Sequence, residues 1–253
     1  MLRVINVQRA GADHKPRFCE TATAQAILGT LAYCQEHGEM GLIVGEPGIG
    51  KTTAAEHFVE ADSYLRWYAK VMPASQSVQG FLRRLVDTLG GIAERHVGTL
   101  DCYDIVLEEV SRRRGASLLV IDEAHLLDAA AVEQVRALYD ELQFGVVFIG
   151  HRELAFRWQH KPGNKRNAWA QLTSRIGPWL DLTEVLPEDV DAICESRGVT
   201  GRRERTLLAK HAKGPGGLRT VVKVINVAAT IAGGDQIEMA HIEQALAIRG
   251  QRG

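Results

Sequence analysis

Nothing in this sequence approaches the roughly 20 consecutive apolar residues that a membrane-spanning helix needs. The N-terminus, Met1-Leu2-Arg3-Val4, has a basic residue but no apolar stretch behind it, so it does not read as a signal peptide. Charge of one sign is missing as well. Lys and Arg number 30 against 31 Asp and Glu, a formal net charge of −1. That balance excludes a uniformly basic nucleic-acid coat and leaves room for a local basic face. Cysteine is scarce: Cys19, Cys34, Cys102 and Cys194 contain no Cys-x-x-Cys pair, which excludes a zinc ribbon or disulfide frame and suits reduced thiols in the cytoplasm. There is no repeat with a period of roughly 20–50 residues and no low-complexity tract. What is present is 253 residues with 45% hydrophobic and 24% charged side chains, an ordinary globular composition. That length suits one large domain with a small appendage.

Hydrophobic periodicity divides the chain. Thr21 to His37 is predicted as a helix, capped by Thr21 and stopped by Gly38. Apolar runs at 41–44, 117–121 and 146–149 are predicted as central parallel strands, because both faces of each are apolar. Weaker strands are predicted at 64–71 and 179–182, and helices at 51–59, 77–89, 100–114 and 132–142. Strands alternating with helices imply a three-layer α/β sandwich around a parallel five-stranded sheet. From Pro187 onward the pattern is helical only. The expected organisation is an irregular segment over 1–20, an α/β domain over 21–186 and a small C-terminal helical domain, placed as a lid, over 187–253.

One motif carries most of the chemistry. Gly45-Glu46-Pro47-Gly48-Ile49-Gly50-Lys51-Thr52 fits G-x-x-x-x-G-K-[ST] and lies between a predicted buried strand and a predicted helix. Its glycines let successive backbone N–H groups face phosphates, and the helix N-terminus adds its positive dipole end. Lys51 is placed to reach the β/γ phosphates, Thr52 to bind Mg²⁺, and Thr53 to join the nucleotide contacts. A second motif ends the strand Leu118-Leu119-Val120-Ile121 in Asp122-Glu123, at the strand end where open α/β sheets bind ligands. Asp122 is expected to hold Mg²⁺, and Glu123 to orient and deprotonate the attacking water. The cofactors expected are therefore ATP and Mg²⁺.

Three further residues extend the site. His151 follows the strand 146–149, where ATPases of this kind place a polar residue that senses the γ-phosphate. Arg175 precedes the last strand; it is expected to reach a neighbouring subunit's nucleotide as an arginine finger. Arg219, after Gly216-Gly217-Leu218, opens a lid helix and is expected at the γ-phosphate.

With these residues in place, the chain resembles the AAA+ (ASCE-type) ATPases, and more narrowly the transposition regulators of the Mu B, TnsC and TniB kind. The resemblance covers about residues 20–250. It rests on Gly45–Phe58, on Leu119–Leu127 followed by Val132–Arg136, on Gly145–Gly150 and on Gln171–Gly177. It implies an ATPase, stimulated by DNA and transposase, that oligomerises as a ring or filament on largely non-specific double-stranded DNA. It further implies delivery of that target DNA to a DDE-type transposase, which it activates, with hydrolysis driving disassembly. Two departures stand out. Mu B-type proteins carry an N-terminal helix-turn-helix, for which the roughly 20 residues before Thr21 are too few. The γ-phosphate position holds His151 where relatives commonly show Asn, Gln or Thr.

The resemblance also places the DNA-facing surface after the second strand. Lys70, Arg83, Arg84 and Arg95 are the expected contacts, with Arg112–Arg114 and the loop of Lys161, Lys165 and Arg166 as alternatives. Such phosphate contacts are sequence-independent and salt-sensitive. An ATP-switched DNA loader or replication initiator-type AAA+ factor shares the phosphate chemistry and stays open as an alternative. The expected location is the cytoplasm, that of the host if the gene belongs to a phage, with no membrane partner.

Overall fold

A computed structural model describes residues 18–92, 97–160 and 171–250, with 157–160 described by backbone alone. Most of the expected irregular segment 1–20 lies outside the described residues, as do Arg95 and the loop containing Lys161, Lys165 and Arg166.

Helix α1 (Ala22–His37) starts where the Thr21 hydroxyl accepts a hydrogen bond from the Ala24 N–H, and ends at Gly38 in the left-handed conformation. Strand β1 (Met40–Gly45) is buried along its whole length. After it come α2 (Lys51–Glu60), β2 (Arg66–Lys70), α3 (Val78–Leu89), α4 (Thr99–Ser111), β3 (Leu118–Asp122), α5 (Ala129–Leu142), β4 (Gly145–Gly150), α6 (Arg152–His160) and β5 (Ile176–Leu182). The sheet is parallel throughout, in the order β2-β3-β4-β1-β5.

The apolar runs split by alternate residues, as the strand period requires. Leu42, Val44, Leu119, Ile121, Val146 and Phe148 pack with α3, α4 and α5 on one face. Ile43, Leu118, Val120, Val147 and Ile149 pack with α1 and α2 on the other. Each buried Leu, Ile or Phe is worth about 1.5–3 kcal/mol of transfer free energy, so both faces anchor the strands. The sandwich has the three layers expected.

Some boundaries differ from expectation. Strand β2 is shorter than 64–71, because the Asp62 carboxylate and carbonyl accept from the Leu65 and Arg66 N–H groups and hold a turn before it. Strand β5 is longer than 179–182. It lies at the sheet edge, where only alternate residues are half-buried, so its apolar signal is weak while its backbone still pairs with β1 from Ile176. Helix α6 was not expected at all. Helix α4 stops at Ser111, and Arg113 then turns inward, where its guanidinium lies 5.1 Å from the Trp67 ring and donates to the Leu89 carbonyl.

From Pro187 onward the regular elements among the described residues are helices: α7 (Pro187–Ser196), α8 (Arg202–Ala212), α9 (Gly217–Ala232) and α10 (Met239–Gly250). They close around an apolar cluster of their own that includes Val190, Leu208, Val221, Val224, Ile225 and Ile242. Two contacts tie these helices to the sheet layers. The fully buried Asp189 carboxylate accepts from both the N–H and the hydroxyl of Thr23 on α1. The Arg219 N–H donates to the Gly48 carbonyl at 3.1 Å.

Candidate nucleotide site

The strand order sets β3, β4 and β1 side by side. The loop after β1, His151 after β4, and Asp122 and Glu123 at the end of β3 therefore meet at one end of the sheet. They line a cavity of about 340 Å³ together with Lys51, Thr52, Thr53 and Arg219. Pro47, Gly48, Ile49 and Gly50 complete its phosphate-loop wall. Residues not anticipated from sequence close it from two sides. Phe18, Cys19, Thr21 and Ala24 come from the chain entering α1, and Ile193, Arg197, Leu218 and Val222 come from the lid. Phe18 stacks on His57 of α2 with ring centroids 3.8 Å apart. A lone aromatic before a predicted cap carried no signal that could have found it.

The loop backbone depends on glycine at two points. Gly48 has φ +84°, and a Cβ there would run into the Gly216 carbonyl of the lid. A Cβ on Gly45 would stand 2.6 Å from the Leu182 carbonyl of β5. Gly45 and Glu46 serve through their carbonyls, which accept from Lys51 Nζ at 2.7 and 2.9 Å. Burial lowers the Lys51 ammonium below its ordinary pKa, against the opposing pull of Asp122 and Glu123. Phosphate oxygens would restore its preference for the charged form.

Asp122 is 2% exposed, and its carboxylate gathers three donors. Thr52 Oγ1 donates to Oδ2 at 2.7 Å, Tyr68 OH to the same oxygen at 2.6 Å, and the Glu123 N–H to Oδ1 at 2.8 Å. Tyr68 was missed from the sequence. The burial of its phenol, reinforced by Asp122, pushes its pKa up. A hydroxyl and a carboxylate in direct contact form a hard-oxygen donor set that fits Mg²⁺, which keeps several of its own waters.

Glu123 adopts φ +56°, uncommon for a residue with a side chain, and this aims its carboxylate into the cavity end of β3. Its Oε2 lies 3.5 Å from His125 Nδ1, and the His125 ring meets His151 edge-on with centroids 4.5 Å apart. His125, two residues after Glu123, is another functional candidate the sequence reading passed over.

Arg219 reaches the loop of its own chain and lines the cavity. Arg175 lies elsewhere, held by Asp140 of α5 through Nε at 2.6 Å and Nη2 at 2.9 Å, and by the Gln171 carbonyl. Arg136 also grips Asp140, at 2.6 Å, so two arginines share that carboxylate. Among the DNA candidates, Lys70 is exposed at the end of β2, while Arg83 and Arg84 are half-buried. Arg83 donates to the Val97 carbonyl at 3.0 Å. Of the alternative cluster, Arg112 and Arg113 both bind Glu109, and Arg112 and Arg114 are exposed.

Comparison with known proteins agrees with this geometry. Residues 34–157 match the family described as AAA domain, and residues 174–248 match the one described as Mu B transposition protein, C terminal. The chain is 29% identical over 236 residues to the ATP-dependent target DNA activator B of Escherichia phage Mu, covering 91% of this chain and 72% of that protein. It is 27% identical over 211 residues to the Mu-like prophage FluMu DNA transposition protein B of Haemophilus influenzae, covering 82% of this chain and 71% of that protein. Among solved structures, the Aeropyrum pernix ORC1 protein in complex with DNA superposes with a TM-score of 0.67 at 20% identity, over 93% of this chain and 67% of that chain. A Thermotoga maritima RuvB mutant superposes with a TM-score of 0.56 at 17% identity, over 91% of this chain and 70% of that chain. At such identities the likeness concerns the fold.

The phosphate loop, the acidic strand end and the strand order make this chain a P-loop protein of the AAA+ class. Within that class its sequence is similar to the Mu B transposition proteins. Among the described residues, no helix is long and apolar enough to cross a membrane.

Proposed function

We propose that this protein is an ATP-dependent DNA-binding ATPase that assembles on target DNA, delivers it to a DDE-type transposase and activates that enzyme. Hydrolysis of ATP to ADP and phosphate then drives disassembly. One observation carries the reading: the phosphate loop, Asp122, Glu123 and Arg219 converge on a single cavity, in a chain whose relatives are named as ATP-dependent target DNA activators.

The residues divide the work. Backbone N–H groups of 48–52 and the N-terminus of α2 receive the phosphates. Lys51 turns its ammonium from the carbonyls of Gly45 and Glu46 to the β/γ phosphate oxygens. Mg²⁺, held by Thr52 and Asp122, supplies positive charge to those oxygens when bound. Glu123 aligns a water with the γ-phosphorus and accepts its proton, and His151 donates a hydrogen bond to the γ-phosphate. Arg219 works within its own chain, and Arg175 acts on the nucleotide of an adjacent copy. Lys70 is the foremost DNA contact, with Arg83 and Arg84 supporting it from α3; Arg95, outside the described residues, is a further candidate by sequence. The cytoplasm is the compartment this activity requires.

The test is DNA binding by fluorescence anisotropy on several unrelated duplexes, with and without Mg·ATP. Wild type should bind all of them only with ATP, and affinity should fall steeply with salt. Lys51→Ala should lose ATP and DNA binding together. Glu123→Gln should bind both, yet hydrolyse ATP poorly and hold DNA longer. ATP-independent binding, or tight binding confined to one defined site, would sink the reading.

A further inference from the structure

Beside the Mg²⁺ position lies a second donor set, of different chemistry. Glu123 directly follows β3, His125 sits in the short turn after it, and His151 directly follows the neighbouring strand β4. One carboxylate oxygen and one nitrogen from each ring all lie within 4.8 Å of one another. The three side chains are half-buried and come from positions just after β3 and β4, two strands that pair side by side in the sheet. Gly150 helps, because a Cβ there would press on Leu154 at 3.0 Å and on the His125 N–H at 3.4 Å. The absence of that Cβ lets the His125 turn lie against the tip of β4.

We propose that Glu123, His125 and His151 form a binding site for a borderline divalent transition ion, with Zn²⁺ the best match. Two imidazoles and a carboxylate are the donor set of open zinc sites, in which three protein ligands leave a fourth position for water. Mg²⁺ prefers an all-oxygen shell and competes poorly for it. Donors about 2.0–2.2 Å from a tetrahedral ion stand about 3.3–3.6 Å apart. Glu123 and His125 already meet that spacing at 3.5 Å. His151, at a strand end, needs a movement of only about an ångström, within the reach of side-chain rotation. The fourth position opens toward the cavity that Glu123 and His151 line.

Occupancy has a consequence that rests on the ATPase reading above, although the site itself does not. A carboxylate bound to Zn²⁺ no longer takes a proton from water. The ion therefore arrests hydrolysis and leaves ATP bound through Lys51, Thr52 and Asp122.

Zn²⁺ alone is the probe, titrated into the full chain in excess Mg²⁺ against a chromophoric zinc indicator. The expected result is one site of micromolar or tighter affinity, weakened about tenfold or more in each of His125→Asn, His151→Asn and Glu123→Gln. Far-UV circular dichroism confirms the fold of each variant, and any one that folds suffices. No site in the wild type, or a site unaffected by these changes, overturns the proposal. At saturating Zn²⁺, turnover should drop about tenfold or more while ATP stays bound, and a zinc-selective chelator should restore it. Unslowed turnover overturns the arrest. A Glu123→Gln protein that hydrolyses ATP at the wild-type rate without zinc overturns the water-activating role of Glu123 on which the arrest rests, and the titration still decides the site.

Discussion

At the scale of single residues, the buried Asp122 carboxylate depends on donors that arrive from three places. Tyr68 is the least obvious, since it reaches Asp122 from 54 positions away. Replacing it by Phe keeps the ring and removes one hydrogen bond to a charged, buried acceptor. Such bonds are worth about 1.5–3 kcal/mol, so Tyr68→Phe should lower the urea midpoint by that much stability without changing the slope. An unchanged midpoint would mean that Thr52 and the Glu123 N–H satisfy Asp122 alone. The cysteines offer a second check. Burial pushes the Cys34 thiol up to about 12 and the Cys194 thiol up to about 11, so both stay protonated and enclosed at pH 8. Cys19 is half-buried and lines the cavity. A thiol-exchange reagent at pH 8 should therefore modify Cys19 first in the native protein, and Mg·ATP should slow that reaction; equal rates at Cys34 and Cys19 would contradict the packing. The phosphate loop and the Asp122–Glu123 pair were legible in the sequence because each is contiguous and sits at a strand end. Tyr68, Phe18 and Arg197 were not, because their place in the site exists only after distant segments pack.

At the scale of elements, the central strands were legible because burial on both faces leaves an unbroken apolar run, as in Leu118–Ile121. Strand β5 was only half legible because an edge strand needs apolar residues on fewer faces. The basic residues after β2 show the limit of reading charge from sequence. Arg83 and Arg113 both spend donors on backbone carbonyls, where a linear reading sees only a basic cluster. Arg175, in the turn before β5, is braced by Asp140 of α5 and is 31% exposed. If it serves a neighbour's nucleotide, Arg175→Ala should bind ATP almost normally and lose about 10³–10⁵ in hydrolysis rate, the range for arginine fingers in GTPases. Mixing tests this directly: Lys51→Ala supplies Arg175 but has no working pocket, and Arg175→Ala supplies the pocket but no finger. The mixture should recover activity that neither shows alone. No recovery at any ratio, with oligomers present by sedimentation, would mean that Arg175 acts in its own subunit or not at all.

At the scale of the whole molecule, the cavity is assembled from the entry to α1, the sheet end and the lid, so the state of the lid and the state of the site are one variable. Two contacts fix that variable: Asp189 on Thr23, and the Arg219 N–H on the Gly48 carbonyl. Thr23→Val removes the hydroxyl donor from a fully buried carboxylate while keeping the volume. A hydrogen bond to a charged acceptor at about 1.5–3 kcal/mol corresponds to about tenfold or more in an equilibrium. Stopped-flow release of a fluorescent ADP analogue should accelerate by about that factor. An unaltered release rate would show that the lid stays shut without this contact. The Gly48 contact has a different consequence. The loop that grips the phosphates is the same loop that holds the lid, with no spacer between them. If ATP is hydrolysed in this cavity, the loss of one phosphate would reach a body of four helices through a single hydrogen bond, from the Arg219 N–H to the Gly48 carbonyl.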